Sequence, residues 1–525
     1  MIRLLTFLLG ICFLASCGVS ADLLIVNGSV MDGSGSPAQE LDVAVRKDRI
    51  LRVGPEIKMR AKRVIDAEGK IVSPGFVDIH AHIEPLTTMP EAESHVRQGV
   101  TTALGGPDGG GPLPLGKYLD DLEEQGVGMN VAYLVGHNSV RNQIMGLVNK
   151  APTEGELKAM EALVAKSMQE GAFGISTGLK YLPGTYAKLD EIIALSRIAA
   201  REGGIYTSHL REEGLGLIEA VSEAITISEK AEIPVVLTHH KAMGQPMWGK
   251  SRETLAMVDA ARSSGLDIMM DQYPYTASHT GISVLIPAWA LEGHQITEFT
   301  KRCEDPVLRD SIKAGIMDNL VNDRGGGDLR RVQFSRFNWK PELEGKTLYD
   351  WAVAEGREPN IETGAELVIE AQLHRGANCI FHAMDEQDVR RIMQHPFSMV
   401  ASDGRLSTPG KGHPHPRAYG TFPRVLGYYS REEGVLPLEE AVRKMTSLPA
   451  QRIGLPERGM IREGNYADIT IFDPATVKDE ATFEDPHQYP TGIEYVIING
   501  KLAVDNGVFQ HKLPGEVLRK KHSKK

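Results

Sequence analysis

The chain has 525 residues, 42% of them hydrophobic and 24% charged, with a formal net charge of −11. This balance offers no broad basic surface for nucleic acid, and four cysteines are too few for a disulfide framework. The length exceeds the ~250 residues of a single (β/α)8 barrel, so a second module or a large insertion is required.

At the N-terminus, Arg3 precedes an apolar run over residues 4–15 that reads as an export signal, too short to cross a bilayer as a helix. Val19-Ser20-Ala21 offers the small residues of a cleavage site after Ala21, giving a signal peptide of residues 1–21. Leu14-Ala15-Ser16-Cys17 resembles a bacterial lipobox with Cys17 as a lipid anchor. Either cut predicts an exported protein of the periplasm or cell envelope, with only Cys303 and Cys379 left in the body. Residues 22–74 then alternate as short β-hairpins. The 450–515 stretch repeats that idiom, so both termini are expected to close one small β-sandwich.

Between them, 75–449 carries eight short apolar or β-branched runs, at 75–82, 100–104, 130–135, 172–176, 204–209, 234–240, 268–271 and 397–403. Amphipathic stretches such as 157–165 and 218–225 separate most of them, and strand–helix alternation repeated eight times predicts an α/β fold, a (β/α)8 TIM-like barrel. The gap between the last two runs predicts an insertion over about 286–346 that caps the barrel mouth. Residues 516–525 form a basic tail, expected to be solvated.

Within the first run, His80 and His82 occupy alternate positions of a strand and so share a face, ~7 Å apart along it. His209, His239 and Asp403 end other strands, where such barrels keep their catalytic groups. That recurrence predicts a site for one or two zinc-like divalent ions. His240 points to the opposite face from His239. His137 also ends a strand, and both pocket lining and a structural hydrogen bond remain open to it.

Gly75-Phe76-Val77-Asp78-Ile79-His80-Ala81-His82 resembles the first-strand signature of the amidohydrolase superfamily. Ser176-Thr177-Gly178-Leu179, Thr207-Ser208-His209-Leu210-Arg211, His239-His240-Lys241, Asp271-Gln272-Tyr273-Pro274-Tyr275 and the 413–424 segment are similar to the N-acyl-D-amino-acid deacylases, or D-aminoacylases. The resemblance runs from about residue 23 to 518. It implies a zinc-like centre with His80 and His82 at the more buried metal and His209 and His239 at the second. It also implies Asp403 as the proton-shuttling carboxylate, and Lys241, Tyr273 and Arg417 as the grip on a substrate α-carboxylate. The family's metal-binding cysteine on the second strand is missing. Asp108 stands in its register within Gly105-Gly106-Pro107-Asp108-Gly109, as a harder bridging ligand, with Lys180 as the rival bridge. His413 and His415, in a proline-rich loop, are assigned to positioning Arg417.

The implied reaction is hydrolysis of N-acyl-D-amino acids or D-residue dipeptides, small-molecule substrates with a free carboxylate. A cyclic-amide hydrolase of the dihydroorotase or hydantoinase kind is the alternative, and Glu84, where an arginine is expected two residues beyond His82, weighs against it. A non-catalytic envelope binding protein is disfavoured by the complete set of strand-end ligands.

Overall fold

A computed structural model describes residues 20–293 and 295–521; the predicted export run and Cys17 lie outside the described residues. Among those residues no helix is long and apolar enough to cross a membrane.

Eight parallel strands form the barrel. They run Phe76–Asp78, Val100–Gly105, Asn130–Tyr133 continued by Val135–Gly136, Gly174–Gly178, Ile205–His209, Val235–Leu237, Ile268–Gln272 and Ser398–Val400. Closure comes from extensions of the first and last strands, Ala81–His82 and Gly404–Arg405, which pair in parallel with Arg405 opposite His82. Side chains alternate across the sheet as the two-residue period requires. Val236 packs into the axial cluster with Val77, Leu104, Met269 and Met399, while its neighbours Val235 and Leu237 face the surrounding helices. Those helices start where the sequence permits. Thr153 caps Glu154–Gln169 by accepting the Glu156 N–H while the Glu156 carboxylate accepts from Thr153 N, a reciprocal capping box.

Both termini build one nine-stranded sheet. Ala21–Val30 pairs antiparallel with Gln39–Arg46 and in parallel with Ala61–Asp66 and Ile71–Pro74. Ile71–Pro74 in turn pairs with Ile469–Phe472 from the far end of the chain. Ile25, Val43, Val45, Ile469, Ile471 and Ile497 are its shared apolar filling, which gives the sandwich beside the barrel.

The insertion is wider than 286–346. It opens with the strand Ser278–Gly281 and ends with Asn378–Phe381, which lies between Ser278–Gly281 and Val332–Arg336 in an antiparallel sheet. Helices Pro306–Asn322 and Ile361–Leu373 pack on it around Phe299, Phe334, Phe337 and Trp351. The flanking strands belong to the insertion because this separate core needs them to be covered.

The tail also departs from expectation. Glu516 N donates to Asn130 Oδ1 at 3.1 Å, Leu518 N to the Val131 carbonyl at 2.7 Å and Lys520 N to the Gly171 carbonyl at 3.0 Å. Arg519 pairs with Asp120 and Glu123. Backbone groups at the barrel's floor are satisfied by this segment, which outweighs the solvation of its charges as far as Lys520; residues 522–525 lie outside the described residues.

Candidate metal centre and active site

His80 sits in the break between Phe76–Asp78 and Ala81–His82, and its carbonyl accepts the Asp403 N–H at 2.9 Å, tying the first strand to the last. The His80 and His82 Nε2 atoms lie 3.6 and 3.2 Å from Asp403 Oδ1, and each is 3.5 Å from an oxygen of Asp108. Asp108 reaches them through a turn folded back by left-handed backbone, with φ 72° at Gly106, 54° at Asp108 and 73° at Gly109. A Cβ at Gly109 would stand 2.2 Å from Asn138 Oδ1, so only glycine fits. Ser176 secures the turn, donating to the Gly106 carbonyl at 2.6 Å and accepting from Gly109 N at 3.1 Å.

On its other side, Asp108 Oδ1 is 3.4 Å from His239 Nε2 and 3.8 Å from His209 Nδ1. Two clusters therefore share Asp108: His80, His82, Asp108 and Asp403 in one, Asp108, His209 and His239 in the other, with candidate ligand atoms within 4.8 Å of one another in each. Asp108, His239 with φ 38° and Asp403 with φ 47° are all non-glycine residues in left-handed backbone. Such conformations cost ~1–3 kcal/mol each and gather at functional sites.

Glu213, which sequence reasoning missed, stands behind the second pair. Its Oε1 is 3.1 Å from His239 Nδ1, its Oε2 3.6 Å from His209 Nε2, and Lys241 Nζ donates to Oε1 at 2.5 Å. A carboxylate on the far nitrogen of each imidazole sets ring orientation and basicity. Its signal was the acidic pair directly after His209-Leu210-Arg211. Asp271 acts through the backbone, accepting His239 N at 2.6 Å.

Burial pushes the Asp403 carboxyl up, but Arg417, His82 and His80 outweigh it and hold the group far below the usual range. Burial likewise opposes ionisation of Glu213, and Lys241, His209 and His239 overcome it. Burial works against a charged His82, yet Asp108 and Asp403 raise it to about 10; for His239, Glu213 and Asp108 prevail over burial and Lys241, raising it to about 9. The carboxylates thus demand positive charge between them. Both ring nitrogens of His80 and Asp108 Oδ1 are buried without a hydrogen-bond partner among the described residues. Facing imidazoles and carboxylates with open valences fit divalent ions.

Tyr273 and Arg417 line the same cavity of about 520 Å³, with the guanidinium 4.6 Å from the tyrosine ring centroid and Arg417 Nη1 2.8 Å from Asp403 Oδ2. Lys241 also lines it, with Nζ bonded to Glu213 and, at 2.8 Å, to the His239 carbonyl. Arg324, a second residue the sequence did not reveal, enters the cavity from the insertion.

Four expectations sort themselves. Lys180 pairs with Glu212 at 2.8 Å and belongs to neither ligand cluster. His137 bonds Glu191 at 2.9 Å beside Arg141, which makes it structural. His240 lies beyond its strand and contacts Thr254 Oγ1 at 2.8 Å. His415 Nδ1 accepts Arg417 N at 3.0 Å, but His413 instead bonds the Phe483 carbonyl at 2.7 Å and does not position Arg417. The His80 side chain is fully buried, and His82 is 28% exposed against 5% and 2% for His209 and His239, because His82 ends its strand at the cavity wall.

Residues 63–282 and 349–504 match the amidohydrolase family. The chain is 37% identical to an N-acyl-D-glutamate deacylase of Alcaligenes xylosoxydans xylosoxydans, covering 95% of this chain and 96% of that protein. A D-aminoacylase of the same organism is 36% identical, over 95% and 97%. The crystal structure of N-acyl-D-glutamate deacylase from Bordetella bronchiseptica, complexed with zinc and a phosphonate mimic of the tetrahedral intermediate, superposes with a TM-score of 0.81 at 34% identity, covering 95% of this chain and all of that one. The chain is a member of the amidohydrolase family.

Proposed function

We propose that the protein is a metal-dependent hydrolase of linear amides that converts N-acyl-D-amino acids, or dipeptides bearing a D-residue, to a free amino acid and a carboxylate. The observation that carries this reading is Asp108 shared between two histidine pairs, facing Asp403 and Arg417 across one cavity. Relatives named for deacylation of D-amino acids support it over nearly the whole chain, more strongly than a cyclic-amide reading.

His80, His82, His209 and His239 would hold one or two zinc-like ions, with Asp108 between them. A divalent ion there supplies Lewis acidity, polarising an amide carbonyl and lowering the pKa of water toward ~7. Asp403 takes the proton of the attacking water and delivers it to the departing nitrogen: a C–O bond forms, the C–N bond breaks, and the amine leaves carrying the proton. Arg417, held by Asp403 and resting on Tyr273, offers the free face of its fork to a carboxylate, Tyr273 orients it and Lys241 adds charge. Export to the periplasm or cell envelope, by cleavage after Ala21 or by lipidation at Cys17, is supported by the apolar run after Arg3.

Hydrolysis of paired N-acetyl-D- and N-acetyl-L-amino acids, with metal analysis of the same preparation, tests the reading. Cleavage of the D-series with stoichiometric metal is expected. A fully active metal-free protein, or indifference to the handedness of the substrate, overturns it.

A further inference from the structure

A second cavity of about 840 Å³ adjoins the catalytic one, and Tyr181, Gly281 and Asn378 line both. Its walls come from the loop after Gly174–Gly178 and from the insertion. Gly281 and Asn378 are paired across adjacent strands of the insertion, so they form a rigid threshold. On the catalytic side, Tyr181 tilts against His209 with ring centroids 4.5 Å apart, so the passage opens beside the metal ligands.

The two cavities are divided by chemistry. Lys241, Tyr273 and Arg417, which would take the substrate's carboxylate, line only the inner one. With that end fixed, the part of the substrate beyond the acyl carbon is what continues past Tyr181. The outer walls include Arg336 and Arg375, neither of which forms an ion pair among the described residues, together with the exposed amide of Asn378. Arg336 commits only its Nε, to Asn338 Oδ1 at 3.2 Å, and the donors left over suit peptide carbonyls and not a hydrocarbon chain, which would leave them desolvated and unpaired. The volume accommodates roughly two or three residues on the usual scale of ligand pockets.

From these observations we infer that the outer cavity is an acyl-side subsite for peptides, so that the preferred substrates are peptides ending in a D-amino acid, with at least two residues before the scissile bond. The inference rests on the amide-hydrolase reading above and names its substrate class. The reaction is unchanged: water adds across the last peptide bond, the acyl carbon gains oxygen, and the D-amino acid leaves with a proton on its nitrogen.

Ser283 lines the outer cavity and not the inner one, and no hydrogen bond of its side chain holds the fold among the described residues, so Ser283→Trp is the substitution that fills the space. With metal-loaded full-length protein, kcat/KM is compared for N-acetyl-D-alanine, N-acetyl-alanyl-D-alanine, N-acetyl-dialanyl-D-alanine and N-octanoyl-D-alanine. We expect a gain of about tenfold or more from the acetyl to the dialanyl compound, realised in the transition state by remote contacts. Ser283→Trp should lose that gain while cleaving N-acetyl-D-alanine as before, which also certifies its fold. Arg336→Ala, a second variant, should lose part of it. No gain with length, a gain that survives Ser283→Trp, or an equal gain with the octanoyl compound overturns the peptide subsite alone. Failure to cleave any of the four overturns it together with the amide-hydrolase reading.

Discussion

The barrel mouth and the insertion are built on opposite principles. At the mouth, Asp108, Glu213, Asp403, Lys241 and Arg417 are largely buried charges, several ligand atoms lack hydrogen-bond partners among the described residues, and three non-glycine residues hold left-handed backbone. Burying such groups costs free energy unless each is paired. Of the insertion's charged side chains, only Asp323 and Arg324 are buried among the described residues, and Arg324 faces the mouth. Trp351 lies 5.4 Å from Phe337 and 5.8 Å from Phe334 in edge-to-face contact, and the three rings are almost fully buried. One region spends stability on reactivity, and the barrel's parallel ladder holds it in place; the other is packing that shapes a wall. Substitutions should therefore separate, with chemistry lost at the mouth and stability lost in the insertion.

The largest effect is expected at Asp403. Asp403→Asn should lower kcat ~10²–10⁴-fold with little change in KM, because a proton carrier acts in the transition state. Steady-state kinetics check this, and a variant keeping more than about a tenth of the wild-type kcat contradicts the role. Next, Trp351→Ala should destabilise the insertion by ~3–5 kcal/mol, as removal of a large buried aromatic does, while metal content stays at the wild-type level. Denaturant unfolding and elemental analysis on the same sample decide it; metal lost along with stability would join the two regions that the comparison separates.

Within the mouth, replacing the substrate's carboxylate by a carboxamide should cost ~2–5 kcal/mol in kcat/KM, since the buried Arg417 and Lys241 would be left without their anion. Equal cleavage of acid and amide would sink the carboxylate clamp and revive the cyclic-amide alternative. The smallest effect is expected at Glu213: Glu213→Gln should weaken metal affinity ~10–100-fold by loosening the orientation of His209 and His239. Competition with a chelator measures it, and unchanged affinity would leave Glu213 a partner of Lys241 alone.

How far each feature could be read beforehand follows from its range along the chain. The eight strands and their helices announce themselves because two-residue and helical periodicities are local. His80 and His82 are legible for the same reason, two residues apart in one segment. Glu213 was not, because the acidic pair after Arg211 does not say which member turns back under His209 and His239 and which turns out to Lys180. Arg324 was not, because its place in the cavity depends on how a helix of the insertion ends.

By itself, then, the sequence determined the alternation of strands and helices, the pairing of both ends in one sheet and the residue types of the site, all carried by short-range pattern and hydrophobic burial. Only the tertiary structure decided that the insertion spans two strands more than the 286–346 expected from the gap between runs, that the basic tail docks under the barrel as far as Lys520, and that Asp108 and not Lys180 lies between two histidine pairs. Each depends on contacts between segments far apart in the chain, where closing the barrel and satisfying buried backbone and charge outweigh any local preference.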